Sequence, residues 1–257
     1  MHMSNRSFEP QAGAQIERLL VDLGRLYIER NEALNQVIEA HHDALFRLAV
    51  AAEYKDDDTG VHIVRIGMLA ERLAVRFGQS RSWSALLRKA APMHDIGKIG
   101  VPDAILKKPG RLTVEERLVI NRHPQIGAEI LGRSNTPLFQ IAAEVALTHH
   151  ERFDGMGYPN RLRGVEIPLS GRIVSVVDFF DALTMNRCYR AAMPDDTVKE
   201  MLRVERGAAF DPAVVDMMLA HWDEFLALRD HVTHLAPDFH QLAAGLADIE
   251  VLAEVRR

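Results

Sequence analysis

From residue 14 onward the apolar residues of this chain recur at steps of three and four, and no apolar–polar alternation reaches the length of a convincing strand. That period belongs to helices buried along one stripe. Ile16, Leu20, Leu23, Tyr27, Leu34, Val37 and Leu48 follow it over 14–53, with Arg30, His41 and Ala44 on the same track. One helix of that length, or two in succession, would extend roughly 60 Å, more than a compact bundle needs. Two readings stay open: a long core helix, or a coiled-coil or signalling helix that pairs two chains, its seam weakened by Gly24, Arg30 and His41.

Further amphipathic helices are expected near 61–77, 81–93, 113–122, 124–132, 137–150, 169–187, 195–206, 212–228 and 235–254. Thr113 and Glu116 have capping-box spacing. Asp211-Pro212 offers an N-cap followed by proline at the first helical position. The stretch 151–168 reads as loop, because Gly155, Gly157, Pro159, Gly164 and Pro168 interrupt any regular pattern. A short hairpin turn at 161–164 is the one β element considered. The fold class is therefore all-α, a helical bundle with one central domain.

The net charge of −5 excludes a generally basic nucleic-acid binder, so no DNA partner is expected. No apolar run approaches the roughly 18 residues that span a bilayer. No apolar signal-peptide core stands at the N-terminus, and the single cysteine, Cys188, forms no internal disulfide. A cytoplasmic location is expected.

Histidine is the unusual residue, with 12 in all. His94-Asp95 follows an apolar-faced segment, where an imidazole and a carboxylate side by side are costly unless paired or bound to a cation. Gly97 permits a tight turn there, and Lys98 adds a positive charge. His149-His150-Glu151 closes an expected helix and leads into Asp154-Gly155-Met156-Gly157-Tyr158-Pro159. Asp178 lies in the most apolar stretch, 173–183, so something must compensate it: a salt bridge or a metal. Singly, His62 and His123 read as structural histidines, and the adjacent pair as a solvated helix end. Together His62, His94, Asp95, His123, His149, His150 and Asp178 exceed what one zinc takes and suit two divalent ions of the iron or manganese kind. Helical bundles build metal centres in this way, with ligands from several helices.

His94-Asp95 and the run 149–159 resemble the two signatures that name the HD-GYP domain family. The runs 55–62, 92–103, 108–110, 123–124, 178–189 and 210–212 agree as well, so the resemblance covers about 45–228. It implies an all-α bacterial phosphodiesterase that hydrolyses cyclic di-GMP to pGpG and often GMP. It makes the seven residues above the metal ligands, with Asp95 bridging two ions and Lys98 on the substrate phosphate. Tyr158, Arg187 and Arg190 match substrate-binding positions, and loop 154–159 is linked in the family to contacts with diguanylate cyclase domains. Asp58 stands where many members carry a glutamate associated with a third metal. Its carboxylate sits roughly 1.3 Å nearer the backbone, so two ions are expected, with Asp58 orienting His62 or a metal-bound water. Arg190 replaces a frequent lysine.

The chemistry stands apart from the resemblance. Two divalent ions with a bridging hydroxide generate the nucleophile and clamp the phosphate oxygens. Lys98 can neutralise charge that develops in the transition state, and the three-residue spacing of Arg187 and Arg190 suits a second phosphate. Three functions are weighed: a cyclic di-GMP phosphodiesterase, a phosphohydrolase for another nucleotide, and a regulatory module that binds the dinucleotide or a cyclase without turnover. No ligand is missing, which counts against the third. The organisation expected is a helical arm over 1–44, a homodimer contact under the chain-pairing reading, the phosphodiesterase domain over 45–228, and a C-terminal helical extension over 229–257.

Overall fold

The computed structural model describes residues 9–55, 60–132, 134–186 and 191–235, with the backbone alone at 9–11 and 54. Asp58, Arg187 and Arg190 lie outside the described residues, as does nearly all of the helix expected at 235–254. Among the described residues there is no strand, only an isolated bridge between Arg206 and Phe210. The all-α expectation holds.

Eleven helices are described: α1 (Glu9–Lys55), α2 (Val61–Arg76), α3 (Arg81–Ala90), α4 (Asp103–Leu106), α5 (Val114–Ile120), α6 (His123–Leu131), α7 (Pro137–Thr148), α8 (Leu169–Thr184), α9 (Asp195–Glu205), α10 (Pro212–Ala220) and α11 (Trp222–Leu235). Short 3-10 turns cover Ala91–Met93, Ile96–Gly100 and Gly164–Glu166. The capping box forms at α5, with Thr113 Oγ1 accepting from Glu116 N and Glu116 accepting from Thr113 N. Asp211 caps α10 by accepting from Ala213 N at 2.8 Å.

Three expectations are corrected. The helix expected over 212–228 is two, because the backbone breaks at His221 and lets Trp222 turn inward, edge-on to Phe180 at 5.1 Å. The helix expected over 81–93 tightens to a 3-10 turn at Ala91–Met93, where Pro92 supplies no amide donor. No hairpin forms at 161–164. The Leu162 amide donates to the Glu151 carboxylate at 3.0 Å rather than across a ladder, and Arg161 adopts a positive φ of 57°.

The chain divides into two compact units, residues up to Ala44 and residues from Leu45 on. In the first, the apolar track lies exposed: Ile16 is 58% accessible, Leu20 63% and Tyr27 62%. Arg25 pairs along the helix with Asp22 and Glu29, surface contacts worth well under about 1 kcal/mol each.

In the second unit α2 and α8 carry much of the core. Ile66, Leu69 and Leu73 of α2 pack in one buried cluster with Ile173, Val177 and Phe180 of α8, and α9–α11 add Val198, Val214 and Phe225. Each large side chain contributes about 1.5–3 kcal/mol. A second cluster joins Phe46 and Val50 from the end of α1 to Ile63, Met93, Ile96 and Ala142. Both clusters draw on α2, α3 and α7.

One backbone approach fixes the neighbourhood of the candidate site. A Cβ on Gly97 would lie 1.9 Å from the His123 carbonyl oxygen and 2.5 Å from the Gly127 nitrogen, so the turn after Asp95 packs directly on the first turn of α6. Only glycine permits it. Gly97→Ala is expected to cost about 1–3 kcal/mol, which lowers the melting temperature by roughly 2–4 °C for each kcal/mol in a chain of this size. A melting temperature equal to that of the parent would show that the approach is slack.

Candidate metal centre

The seven ligand candidates come from five places along the chain, and the fold brings their tips into two groups. Asp95, His123, His149 and His150 form one; His62, His94 and Asp178 form the other. Within each group one ligand atom per residue lies within 4.8 Å of all the others. Asp95 faces both. Its Oδ1 is 3.1 Å from His123 Nε2 and 3.6 Å from His149 Nε2, while its Oδ2 is 3.2 Å from His94 Nε2.

The orientation of the imidazoles follows from the helices that carry them. His94 Nδ1 donates to the Ala91 carbonyl at 3.1 Å, His123 Nδ1 to Ile120 at 2.8 Å, and His149 Nδ1 to Val145 and Ala146 at 3.1 Å each. Every acceptor is a carbonyl three or four residues earlier, the position that a helical turn supplies. With the proton on Nδ1, Nε2 keeps its lone pair for the common centre. His62 differs. Its Nδ1 donates to Asp181 Oδ2 at 2.7 Å, and Arg65 forks onto the same carboxylate, Nε to Oδ1 at 2.6 Å and Nη2 to Oδ2 at 2.9 Å.

That arrangement corrects the reading of the apolar stretch 173–183. Asp178 is not the buried carboxylate: its side chain is 27% exposed and faces His62 Nε2 at 3.6 Å. Asp181, one helical turn on, is buried, and it is compensated by His62 and Arg65 rather than by an ion. Burial alone would raise its pKa, but those two partners hold it far below the usual carboxylate range. Sequence reading gave Asp181 and Arg65 no role. The available signal was spacing, since each stands three residues after a ligand on the same helix. Glu53, buried near the end of α1, was missed too; its pKa is raised by burial, against the pull of His62 and Lys98. So was Lys55, whose ammonium donates to the carbonyls of Ile99 at 2.7 Å and Val101 at 2.8 Å and so ties α1 to the turn after Asp95.

The atoms facing the centre fit cations. His94 Nε2 and Asp95 Oδ1 are buried and make no hydrogen bond, which an acceptor atom tolerates when an ion completes it. Burial, then the neighbouring imidazoles, push His150 well below the ordinary histidine range, and burial lowers His149 as well. Both therefore offer lone pairs at neutral pH. Burial opposes charge on His94, yet the adjacent Asp95 and the more distant Asp178 and Glu53 outweigh it and raise its pKa to about 9. Asp95 itself, despite burial, is held well below the carboxylate range by Lys98 and His94. Lys98 Nζ lies 2.8 Å from Asp95 Oδ2.

The loop after His150 folds back over the centre. A Cβ on Gly157 would sit 2.3 Å from the Arg152 nitrogen, so glycine lets the loop touch its own start. Tyr158 N then donates to the His150 carbonyl at 3.2 Å, and the Tyr158 ring stacks on His150 at 4.8 Å and 27°. Glu151, buried, accepts from Asn160 N at 2.7 Å and fixes the return. Burial, then Asp95, raises the Tyr158 pKa far above its ordinary value, so it is a neutral donor.

The sequence profile of the HD domain family matches residues 32–214. A 3'3'-cGAMP-specific phosphodiesterase of Vibrio cholerae is 41% identical over 214 residues, covering 83% of this chain and 41% of that protein. The cyclic di-GMP phosphodiesterase response regulator RpfG of Xanthomonas campestris is 44% identical over 187 residues, covering 73% and 50%. A cyclic di-GMP phosphodiesterase of Thermotoga maritima is 40% identical over 217 residues, covering 84% and 59%. The chain thus spans about half the length of these curated relatives. The crystal structure of V-cGAP3, a cyclic GMP-AMP specific phosphodiesterase of V. cholerae, superposes with a TM-score of 0.51 at 17% identity, over 75% of this chain and 53% of that one, which bears on the fold alone.

Asp181→Asn tests the role of the carboxylate behind His62. The amide turns a donor toward His62 Nδ1 or forces the other tautomer. Metal affinity is expected to fall about 10- to 100-fold, read by competition with a chelator, while helicity is retained. Unaltered affinity would make the Asp181–Arg65 pair a packing feature only.

Proposed function

The chain belongs to the HD domain family, and from that premise we propose that it is a cytoplasmic, metal-dependent phosphodiesterase that hydrolyses cyclic di-GMP to pGpG, with GMP as the product of a second cleavage. The observation that carries the reading is the division of the ligands into two groups that share Asp95, one oxygen toward each. In this reading Asp95, His123, His149 and His150 hold one divalent ion, and His62, His94 and Asp178 hold the second together with Asp95. The donor set of imidazole and carboxylate suits iron or manganese. Two such ions supply Lewis acidity, which lowers the pKa of water and offsets the charge of the phosphodiester. Asp58 lies outside the described residues, and a third ion forms no part of the proposal.

The chain's own groups do the rest. Lys98, held against Asp95, places an ammonium where negative charge grows on the phosphoryl oxygens. Tyr158, neutral and stacked on His150, offers a phenol donor and a ring face at the edge of the centre. Arg187 and Arg190 are assigned to the second phosphate by their spacing. The loop 154–159, with Met156 79% exposed, is the surface proposed to meet a diguanylate cyclase domain. Several relatives are named for 3'3'-cGAMP, one of them 41% identical, which favours a second reading with that substrate.

Purified protein reconstituted with iron or manganese is incubated with cyclic di-GMP and, separately, 3'3'-cGAMP, and the products are separated over time. Appearance of pGpG is the expected result; an inert protein that still binds the dinucleotide would favour the regulatory module. Asp95→Ala is expected to abolish turnover and strip most of the metal, and full metal content with near-normal turnover would sink the bridging role. Lys98→Ala is expected to keep metal and lose about 10- to 1000-fold in kcat; loss of metal instead would make Lys98 a support of the site.

The exposed track of α1 is proposed to pair two chains. Its three-four spacing is the repeat that two identical helices can share along a seam, and Ile16, Leu20, Leu23 and Tyr27 all face outward. Light scattering should give two chains per particle for the parent and one for a variant with Leu20→Glu and Leu23→Glu. One chain per particle in both would remove the idea.

A further inference from the structure

The centre opens on one side into a cavity of about 400 Å³. It is lined by His149, His150 and Asp178 of the candidate centre and by Phe179 and Phe210. Those two rings pack against each other at 4.9 Å and 58°. Phe210 is buried and Phe179 half-buried. Arg152 and Glu205 also line the cavity. Arg152 is committed to the loop, donating to Asp154 Oδ2 at 2.9 Å, and it reaches Glu205 Oε2 at 3.3 Å. The same cavity therefore joins residues of the candidate metal centre, an aromatic pair and a carboxylate paired with Arg152.

Each part selects a ligand. A volume near 400 Å³ lies low in the range of about 300–1,000 Å³ for small-molecule sites, so it takes part of a cyclic dinucleotide rather than both halves. Aromatic side chains beside a phosphate site favour a flat heteroaromatic ring, which gains from stacking whatever its identity. Identity is read by the polar group. A carboxylate is an acceptor only, with two oxygens side by side. Guanine presents two adjacent donors on its Watson–Crick edge, N1–H and the N2 amino group. Adenine turns the N1 lone pair to the same place and is repelled.

We propose that this cavity is a guanine subsite, with the base against Phe179 and Phe210 and its N1–H and N2–H donors on the Glu205 carboxylate. It rests on the phosphodiesterase reading, and it makes Glu205 the residue that separates guanine from adenine in the bound ring. Arg152 is a positioning residue that holds Glu205 toward the base. Cyclic di-GMP and 3'3'-cGAMP each carry a guanine that can enter. Cyclic di-AMP carries none, and it is expected to be cleaved least.

The test uses the full, metal-loaded chain. Calorimetric titration with GMP and with AMP should show GMP bound at least about 10-fold more tightly, as expected when a purpose-built hydrogen-bonding edge is left unmatched by the wrong base. Glu205→Gln keeps size but replaces one acceptor with a donor; the GMP-to-AMP preference is expected to fall about 10-fold or more, toward one. Phe179→Ala should weaken both nucleotides by roughly 5- to 100-fold without altering their ratio. An unchanged ratio in Glu205→Gln, or an equal loss of both nucleotides, overturns the proposal. Turnover is measured in parallel on cyclic di-GMP, 3'3'-cGAMP and cyclic di-AMP. A parent protein that cleaves guanine-containing rings without preferring GMP over AMP defeats the subsite alone. One that prefers GMP but cleaves no ring defeats the phosphodiesterase reading.

Discussion

Five imidazoles and two carboxylates meet in one largely buried space, and the fold tolerates this because most of them are satisfied from behind. For His94, His123 and His149 the satisfaction is a helical carbonyl, which costs nothing extra since the helix presents it in any case. For His62 it is a carboxylate that is itself neutralised by an arginine. Two of the atoms left pointing inward, His94 Nε2 and Asp95 Oδ1, have no hydrogen-bond partner. Positive charge resolves that imbalance, and Lys98 supplies part of it at Asp95 Oδ2.

The two groups that could hold an ion are consequently unequal. The group with His123, His149 and His150 is rich in nitrogen and backed by neutral carbonyls, and it takes its single carboxylate from Asp95. The group with His62, His94 and Asp178 has fewer imidazoles and more negative charge near it, counting Asp181 behind His62. Both α2 and α8 supply a candidate ligand and, one turn on, one member of the ion pair behind His62: His62 and Arg65 on α2, Asp178 and Asp181 on α8. Core packing of these two helices through Ile66, Leu69, Val177 and Phe180 sets the distance between the pairs.

Much of this was legible in the sequence, and the parts that were not share a cause. The helical period, the capping box at Thr113 and the clustering of histidines are local patterns, and they survive into the structure. The burial of Asp181 rather than Asp178 is not local. Both aspartates sit in the same apolar run, and only the rotation of α8 against α2 decides which one points inward. The break at His221 likewise depends on where Trp222 can find Phe180. The hairpin expected at 161–164 fails because Glu151, ten residues earlier, captures the amides that a ladder would use. Glu53 and Lys55 carry no motif of their own and gain meaning only from the turn that α1 ends beside.

The contact at Gly97 carries a consequence for how such a centre drifts over time. Asp95 and His123 are held near each other where main chain packs on main chain at Gly97, with the Ile126 side chain beside Gly100 and that of Ile96 beside Gly127. The spacing between these two candidate ligands therefore depends on how closely the backbone passes at Gly97. A side chain of any size at Gly97 would push this turn away from α6 and alter the interval between the two candidate ligands, so change at this position is confined to glycine.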